Sequence, residues 1–569
     1  MTDQHAEPPR LEELQHWTWV LGRAQQMMLE HGYGAMQAGP MAAWSDPTAF
    51  ARASADFWAD TMKLRQRFLD PEAAAGEPEP RELSSDRRFK APQWRDNPVF
   101  DFLRQSYFLI ADHMLRGVDS LEGVDPRHKE QLRFATKGFI DAISPSNFPA
   151  TNPVVVERII ETRGENLLKG LSNMLSDMAR GQMTQVDSSG FELGRNIAAT
   201  PGKVVHRTDL YELIQYSPTT DQVFAVPLII FPPWINRFYI LDLTPEKSFI
   251  KWAVDQGLTV FVVSWKSADA TMKDVVWDDY VERGQIDAID TVRDLLGVDS
   301  VHTIGYCVAG TTLAATLAVL AARGQADKVK SATFFTAQVD FSEAGDLSLF
   351  VTDEQLEFIR SISAEGFLDG RYMAATFNLL RGRELIWNYV TNNYLLGDDY
   401  PPFDLLHWNA DVTNLPARWH LSYLTDLYRD NRLVVPGALS IGGTPIDLTR
   451  IETPAYIQAG KEDHIAPAAS VWKLNTHLNG PVRFVLAGSG HIAGVVNPPS
   501  ARKYQYWTCD APAESLDAFV ASARETAGSW WPDWIEWIAA QDAGKVPATG
   551  PRKPGKALSD APGEYVKLR

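Results

Sequence analysis

Cys307 is the residue whose surroundings most clearly suggest covalent chemistry. It stands in Gly305-Tyr306-Cys307-Val308-Ala309-Gly310, between the strand-like run VHTI and the helix-forming run TTLAATLAVLAA. This pattern is typical of a sharp strand-to-helix turn that presents a nucleophile, although the second glycine stands one place later than usual, with Ala309 in its place. The N-terminus of the following helix would favour a thiolate and an oxyanion. We therefore predict that Cys307 is the nucleophile; the alternative is a buried structural cysteine.

A nucleophile on such a turn requires an acid and a base that follow it along the chain. Asp463 follows the apolar run PAYIQAG (454–460), and His491 follows the run PVRFVLAG (481–488). Both side chains would then lie at the carboxyl ends of consecutive strands. We predict that His491 takes the thiol proton of Cys307, and that Asp463 holds the imidazole tautomer and stabilises the imidazolium.

Other residues compete less well for these roles. Asp340 follows the run VKSATFF (329–335) and remains an alternative acid. His464 is adjacent to Asp463 and is expected to be structural or to lie at the edge of the pocket. Cys509 lacks a comparable context and is expected to be inert.

Two backbone N–H groups are needed to bind the oxyanion that forms during acyl transfer. Val308, directly after the nucleophile, would supply the first. The second would come from the loop after AVPLIIF (225–231), where two prolines carry no N–H. We favour Ile235 as this donor, with Trp234 as the alternative. No metal and no cofactor are expected.

The elements around these residues predict an α/β architecture. After about residue 202, apolar strand-like runs alternate with helical segments, which is typical of a parallel sheet with helices on both faces. With the nucleophile turn, this predicts an α/β-hydrolase catalytic domain over 201–569. An aromatic-rich interval at about 336–453 is too long for a loop and predicts an inserted cap subdomain. Residues 1–200 are predicted to form a mainly helical N-terminal region with a mobile connection near 70–97.

Composition excludes several classes of function. Of 569 residues, 54 are Lys or Arg and 72 are Asp or Glu, so the net charge of −18 argues against a nucleic-acid partner. Two cysteines cannot build a disulfide framework, which indicates a reducing compartment. Residues 300–322 carry no charge and are long enough for a membrane span, but a strand, a turn and a buried helix explain them better. No secretory signal and no transmembrane span are predicted.

A cysteine in this position also indicates the class of substrate. A thiolate expels an alkoxide from an oxoester poorly, whereas exchange with a thioester is nearly balanced because both sulfurs are similar leaving groups. Acyl thioesters are therefore the expected substrates, with coenzyme A as the carrier. The aromatic cap would exclude water, so that the acyl group is transferred and not hydrolysed.

Several long motifs resemble one family. The chain resembles the class I polyhydroxyalkanoate synthases, or poly-3-hydroxybutyrate polymerases, along nearly its whole length. Beside the nucleophile turn, the matching stretches are DRRFKAPQWRDNPVFDFLRQSYFL (86–109), SPSNFPATNP (144–153), PPWINRFYILDL (232–243), SWKSAD (264–269), FDLLHWNADVTNLP (403–416), GKEDHIAP (460–467), GSGHIAGVVNPP (488–499) and GSWWPDW (528–534).

The resemblance implies a function and a set of site residues. Cys307, Asp463 and His491 would form the catalytic triad, and (R)-3-hydroxyacyl-CoA of short chain length, such as 3-hydroxybutyryl-CoA, would be polymerised through a covalent cysteine thioester with release of CoA. A homodimer at the surface of cytoplasmic polymer granules is implied. The N-terminal region would contact the granule and granule-associated proteins. Trp408 would belong to a dimerisation or gating region, or would simply be a packed cap aromatic.

Three points stay open at this stage. A cysteine-dependent thioesterase or polyester depolymerase would share the triad and differ only in using water as the acyl acceptor. A non-catalytic granule-associated scaffold is a further alternative. The tryptophans of 530–537 would either dock one face of a helix onto the core or form a platform for the polymer.

Overall fold

The computed structural model describes residues 47–69, 85–555 and 557–569. They divide into two compact units. The first contains the described residues up to Asp187 together with Met373–Pro401, and the second contains Ser188–Tyr372 and Pro402–Arg569.

The first unit is helical, and a local sequence pattern marks where three of its helices begin. Three of its helices begin at a proline that directly follows Asn97, Asp125 or Asn152, and each of these side chains accepts a hydrogen bond from a backbone N–H of the first turn. Such a polar cap followed by proline satisfies free N–H groups at the start of the helix. The α-helices are Pro47–Leu69, Gln93–Asp96, Pro98–Asp119, Pro126–Ala142, Pro153–Thr162 and Glu165–Arg180.

Part of the predicted mobile connection near 70–97 is packed. Residues 70–84 lie outside the described residues, but Arg87–Phe89 and Gln93–Asp96 form short helices. Phe89 and Trp94 are fully buried in one apolar cluster. This stretch contributes two large side chains to a core because its aromatic residues outweigh its charged and proline-rich composition.

The predicted cap interval is divided between the two units. Met373–Pro401 clusters with the first unit. Within that unit, Asn166 donates to the carbonyl of Leu395 at 2.7 Å and the hydroxyl of Tyr394 donates to buried Asp177 at 2.6 Å. The segment contains most of the helix Gly370–Leu380 and the π-helices Arg383–Trp387 and Val390–Leu395.

The second unit is built on one mixed sheet of eleven strands. In chain order these are β1 (Gly202–Arg207), β2 (Tyr211–Tyr216), β3 (Leu228–Phe231), β4 (Val260–Trp265), β5 (Val301–Tyr306), β6 (Val329–Phe335), β7 (Ala455–Gly460), β8 (Val482–Ala487), β9 (Gln505–Thr508), β10 (Arg524–Ala527) and β11 (Ser559–Asp560). Their order in the sheet is β10-β9-β8-β7-β6-β5-β3-β4-β2-β1-β11. The six central strands, β8 to β4 in that order, are parallel, and the strands on both flanks are antiparallel.

Helices join the parallel strands. The α-helices of this unit are Phe249–Asp255, Trp277–Asp279, Asp287–Leu296, Val308–Ala322, Asp353–Ile362, Asp404–Ala410, Ala417–Ser422, Ala468–Trp472, Leu474–His477, Leu516–Ser522 and Trp531–Gln541, with π-helices at Tyr280–Ile286 and Tyr423–Arg429. Short two-stranded pairs join Gln222–Phe224 to Lys545–Pro547, Phe367–Leu368 to Leu415–Pro416, and Ser440–Ile441 to Thr444–Pro445. This architecture confirms the predicted α/β-hydrolase fold preceded by a helical region.

The uncharged stretch 300–322 forms strand β5 and the helix Val308–Ala322, as the sequence predicted. Both elements are buried almost throughout, because they lie at the centre of the domain. In the part of the chain that the structure describes, no helix combines the length and the apolar character needed to cross a bilayer.

Two glycines allow strand β5 and the following helix to meet. A Cβ on Gly305 would lie 2.6 Å from the Cα of Gly310, and a Cβ on Gly310 would lie 2.4 Å from the Cβ of Ala337. The displaced second glycine of the motif is therefore the one that packs against the first, and Ala309 occupies the position that tolerates a methyl group.

We expect Gly310→Ala to reduce the free energy of unfolding by about 1–3 kcal/mol, because the added methyl group overpacks this contact. Gly138→Ala is the matched control, since Gly138 also lies in a helix but nothing stands within 4 Å of a Cβ there. The control should be neutral or up to about 1 kcal/mol more stable. Urea denaturation of both variants tests this, and equal effects would contradict the packing argument.

Candidate active site

Cys307 lies at the turn between strand β5 and the helix Val308–Ala322. Its backbone has φ +52° and ψ −124°, a conformation that L-residues rarely adopt. The turn is held by three backbone hydrogen bonds: the N–H of Cys307 donates to Phe335 at 2.9 Å, and its carbonyl accepts from Gly310 at 2.8 Å and Thr311 at 3.0 Å. The side chain is half-buried at the start of the helix, where the helix dipole favours negative charge.

His491 and Asp463 meet beside this turn. Nδ1 of His491 lies 2.7 Å from Oδ2 of Asp463, and both residues are buried. The other carboxylate oxygen, Oδ1, accepts the N–H groups of Ile465 at 2.8 Å and Ala466 at 2.9 Å, which fixes the orientation of the carboxylate. Because Nδ1 faces Asp463, Nε2 is the ring nitrogen that can exchange a proton with Cys307.

The charges around His491 favour its protonated form. Burial opposes a charge on the ring, but the carboxylate of Asp463 and the sulfur of Cys307 outweigh it and raise the pKa of His491 to about 10. A base that readily accepts a proton next to a thiol is the arrangement that nucleophilic catalysis requires.

The competing residues lie in other surroundings. Asp340 binds Ser342, Asn431 and His477, and, although burial opposes its charge, these hydrogen bonds lower the pKa of Asp340 to about 2. Its carboxylate therefore caps a neighbouring turn, while Asp463 is the acid that binds His491. Sγ of Cys509 lies 3.5 Å from Oγ of Ser522, after strand β9. His464 is half-buried next to Asp463.

The predicted oxyanion donors occupy suitable backbone positions. Val308 is the first residue of its helix, where the N–H has no intrahelical partner. In the loop after strand β3, Oγ1 of Thr413 donates to the carbonyl of Trp234 at 2.7 Å and accepts from the N–H of Asn236 at 2.8 Å. Thr413 thus holds the backbone on both sides of Ile235, and Ile235 as the second oxyanion donor stays a prediction.

Two tyrosines that sequence reasoning missed lie near the nucleophile. Tyr423 and Tyr428 come from one π-helix, and burial, together with the nearby charge of Cys307, raises the pKa of both phenols. The amide of Gln338 donates to the hydroxyl of Tyr428 at 3.2 Å. No motif marks these positions; only their place in the aromatic-rich predicted cap could have indicated them.

Aromatic donors hold the loop that carries His491. The hydroxyl of Tyr306 donates to the carbonyl of His491 at 2.9 Å, and the indoles of Trp530 and Trp531 donate to Gly494 at 2.8 Å and Val495 at 2.9 Å. Both tryptophans and Trp534 are buried in the core. The helix Trp531–Gln541 and its cap residue Trp530 therefore dock onto the domain. The interpretation as a platform for the polymer is not supported for these three side chains.

Trp408 is also buried, and its indole donates to the carbonyl of Arg237 at 2.7 Å. It is thus a packed aromatic within the second unit. Among the described residues, no group of three or more His, Cys, Asp or Glu side chains is arranged to hold a metal ion.

Comparison with family models gives two matches. Residues 85–253 match the N-terminal region of poly-beta-hydroxybutyrate polymerase, and residues 246–498 match the alpha/beta hydrolase fold. Together they extend over residues 85–498, which contain eight of the eleven strands of the sheet.

Two curated relatives match along most of the chain. The chain is 45% identical over 531 residues to the poly(3-hydroxyalkanoate) polymerase subunit PhaC of Rhizobium meliloti, which covers 92% of this chain and 87% of that protein. It is 42% identical over 567 residues to the poly(3-hydroxyalkanoate) polymerase of Methylorubrum extorquens, with 98% and 91% coverage. Among solved structures, a hydrolase from Pseudomonas aeruginosa is 13% identical with a TM-score of 0.30, covering 52% of this chain and 92% of that one.

The raised pKa of His491 predicts a pH-dependent stability. The ionic interaction between protonated His491 and Asp463 stabilises the folded state fully below the pKa of histidine in the unfolded chain, about 6.5. This stabilisation is lost as the pH rises through the folded-state pKa of His491, about 10. We expect the difference in unfolding free energy between wild type and Asp463→Asn to shrink from pH 7 to pH 10, measured by urea denaturation.

Asp340→Asn is the matched control for this measurement. Because the pKa of Asp340 is lowered to about 2, its contribution is complete well below neutral pH and is lost only in acid. Its effect on stability should stay constant over the same pH range. A constant effect of Asp463→Asn would contradict the proposed interaction with His491.

The contribution of the Trp530 indole to the His491 loop can be distinguished from that of the nearby Trp534 indole. Trp530→Phe removes the hydrogen bond to Gly494, and Trp534→Phe removes one to Thr333 on strand β6, from the same helix. Both should lower the melting temperature. Only Trp530→Phe should also lower kcat, by about tenfold, because a displaced His491 loop moves the imidazole away from Cys307, and small displacements of a reacting group slow the reaction strongly. Equal kcat values for the two variants would show that the anchor does not position His491.

Proposed function

The chain belongs to the poly(3-hydroxyalkanoate) polymerase family, and we propose that it polymerises (R)-3-hydroxyacyl-CoA through a covalent thioester on Cys307, with release of coenzyme A. The family and its α/β-hydrolase fold confirm the resemblance seen in the motifs. The observation that carries the proposed mechanism is the hydrogen-bonded pair of His491 and Asp463 beside Cys307 on its strained turn.

Acylation is the first step. The proton of the Cys307 thiol passes to Nε2 of His491, as the raised pKa of His491 favours, and the resulting thiolate attacks the thioester carbon of the substrate. The N–H groups of Val308 and Ile235 bind the oxyanion, an interaction whose loss typically slows such reactions by about 10²–10³-fold. The C–S bond to coenzyme A then breaks, the leaving thiolate receives the proton from His491, and the acyl group remains on Cys307.

Transfer to a hydroxyl lengthens the polymer. His491 takes the proton of the 3-hydroxyl group of another acyl unit, whose oxygen attacks the acyl carbon on Cys307. An ester C–O bond forms, the C–S bond to Cys307 breaks, and the thiolate recovers its proton from His491. Each cycle converts one thioester into one ester, so no metal, redox cofactor or further energy source is required by the proposal.

Water must be kept from the acyl-cysteine for this reaction to dominate. The burial of His491, Asp463 and Tyr423 supports such exclusion. If water were the acyl acceptor, the chain would be a thioesterase or a polyester depolymerase. If Cys307 formed no acyl intermediate, the chain would be a non-catalytic granule-associated scaffold.

The setting of the reaction is also proposed. The two cysteines indicate a reducing compartment, in keeping with the cytoplasm, and a homodimer at the granule surface follows from the resemblance. In the first unit, the exposed side chains of Ile160, Leu168 and Leu175 support contact with an apolar polymer or with granule-associated proteins.

The test is polymerisation of purified 3-hydroxybutyryl-CoA by the full-length chain. We expect CoA release and insoluble polyester in equal monomer amounts, and neither with Cys307→Ala. Cys509→Ala is the matched control and should retain full activity, because Cys509 lies after strand β9 beside Ser522. CoA release without polymer would instead establish a thioesterase.

Chain-length preference is read in the same assay. With a series of 3-hydroxyacyl-CoA substrates, the proposal of a short-chain enzyme predicts the highest kcat/KM for the four-carbon unit. A maximum at eight or more carbons would contradict that part of the proposal while leaving the reaction class intact.

A further inference from the structure

We propose that Arg237 and the C-terminal segment (residues 557–569) position the loop that presents the oxyanion donor Ile235. This inference rests on the proposed function, because it concerns how that reaction's oxyanion site is held. Arg237 is a positioning residue here: it acts through the backbone of the loop and touches no reacting atom.

The guanidinium of Arg237 is buried and directed at backbone carbonyls. The side chain is 3% exposed, and Nη2 donates to the carbonyl of Leu568 at 2.6 Å. Nη1 donates to the carbonyl of Tyr565 at 3.4 Å, and Nε donates to Asp411 at 3.3 Å. A buried cation is costly unless its donors are satisfied, so this position depends on the C-terminal segment being in place.

The C-terminal segment is itself firmly docked. Its strand β11 pairs with strand β1, and Oε2 of the fully buried Glu212 accepts the N–H groups of Glu564 and Tyr565, each at 2.9 Å. The hydroxyl of Tyr565 donates to the carbonyl of Thr208 at 2.6 Å. These contacts hold the segment that supplies the carbonyls of Tyr565 and Leu568 to Arg237, whose third carbonyl acceptor is Val412 at 3.5 Å.

The other side of the loop is held by the helix Asp404–Ala410 and by the segment that follows it. Trp408 donates to the carbonyl of Arg237, and Thr413 bonds the residues on both sides of Ile235. Between them, Asn236 has φ +91°, which persists only where the surroundings hold it. Without the hydrogen bonds of Arg237, this strained turn can relax, and the N–H of Ile235 turns away from the oxyanion.

The second unit contains a suitable control. Arg552 is 7% exposed and also donates to backbone carbonyls, at 2.6 Å to Ala225 and 3.3 Å to Phe224. These carbonyls precede strand β3, whereas the oxyanion loop follows it. Arg552→Met therefore removes buried hydrogen bonds to backbone carbonyls at the end of the strand away from the site.

The experiment compares Arg237→Met with Arg552→Met in the full-length chain. Both should lower the melting temperature, because each removes buried hydrogen bonds. Arg237→Met should also lower kcat for CoA release from 3-hydroxybutyryl-CoA by about 10- to 100-fold, with KM changed less than about twofold, because an oxyanion donor acts in the transition state. Arg552→Met should keep kcat within about twofold.

Two further variants keep the test informative if Arg237→Met does not fold. Arg237→Lys can still donate to one carbonyl and should recover part of kcat. Removing Lys567–Arg569 deletes the acceptor Leu568 and should lower kcat as Arg237→Met does. The proposal is overturned if these variants keep wild-type kcat, or if Arg552→Met loses as much kcat as Arg237→Met.

A second assay separates this inference from the proposed function. Release of thiol from a simple acyl thioester reports acylation of Cys307 whether or not polymer forms. If the chain cleaves the thioester without making polymer, the proposed function fails, yet the dependence on Arg237 still decides the inference.

Discussion

The structure depends on one backbone constraint: Cys307 must be held at a positive φ where strand β5 passes directly into a helix. That turn is possible only because Gly305 and Gly310 have no Cβ, which lets the backbones of the strand and the helix pack directly against each other. Burial of β5 between β6 and β3 at the centre of the sheet keeps both elements in place. The position of the nucleophile is therefore a consequence of packing.

The partners of the nucleophile depend on hydrogen bonds to backbone. Asp463 is oriented by two N–H groups of its own loop, and the His491 loop is fixed by the hydroxyl of Tyr306 and two indoles. The loop that contains Ile235, the proposed oxyanion donor, is held in the same way by Thr413 and Arg237. Several of the 18 tryptophans of the chain thus supply hydrogen-bond donors that fix loops, in addition to apolar volume.

Most of the fold could be predicted from the sequence, because its central strands are continuous apolar runs. Strand 329–335 has the predicted bounds, and the runs 225–231, 454–460 and 481–488 each contain one strand of the sheet. The flanking strands β1, β2, β9 and β10 were missed, since residues such as Glu212, Gln215 and Arg524 mix polar and apolar positions. The predicted cap interval contains a segment that clusters with the first unit, because contacts such as that of Tyr394 with Asp177 join residues far apart in sequence.

The candidate site was predictable where a motif carries it and not elsewhere. The order of Cys307, Asp463 and His491 follows from strand ends. Tyr428 lies outside every motif, and Thr413 and Arg237 lie in matched stretches that do not reveal the distant residues they bind. The most direct test of the account is mass spectrometry of the full-length chain mixed with one equivalent of 3-hydroxybutyryl-CoA. The account predicts that CoA leaves and one hydroxybutyryl group is found on the peptide containing Cys307. CoA release with the acyl group on another residue, or polymer formation by Cys307→Ala, would contradict it.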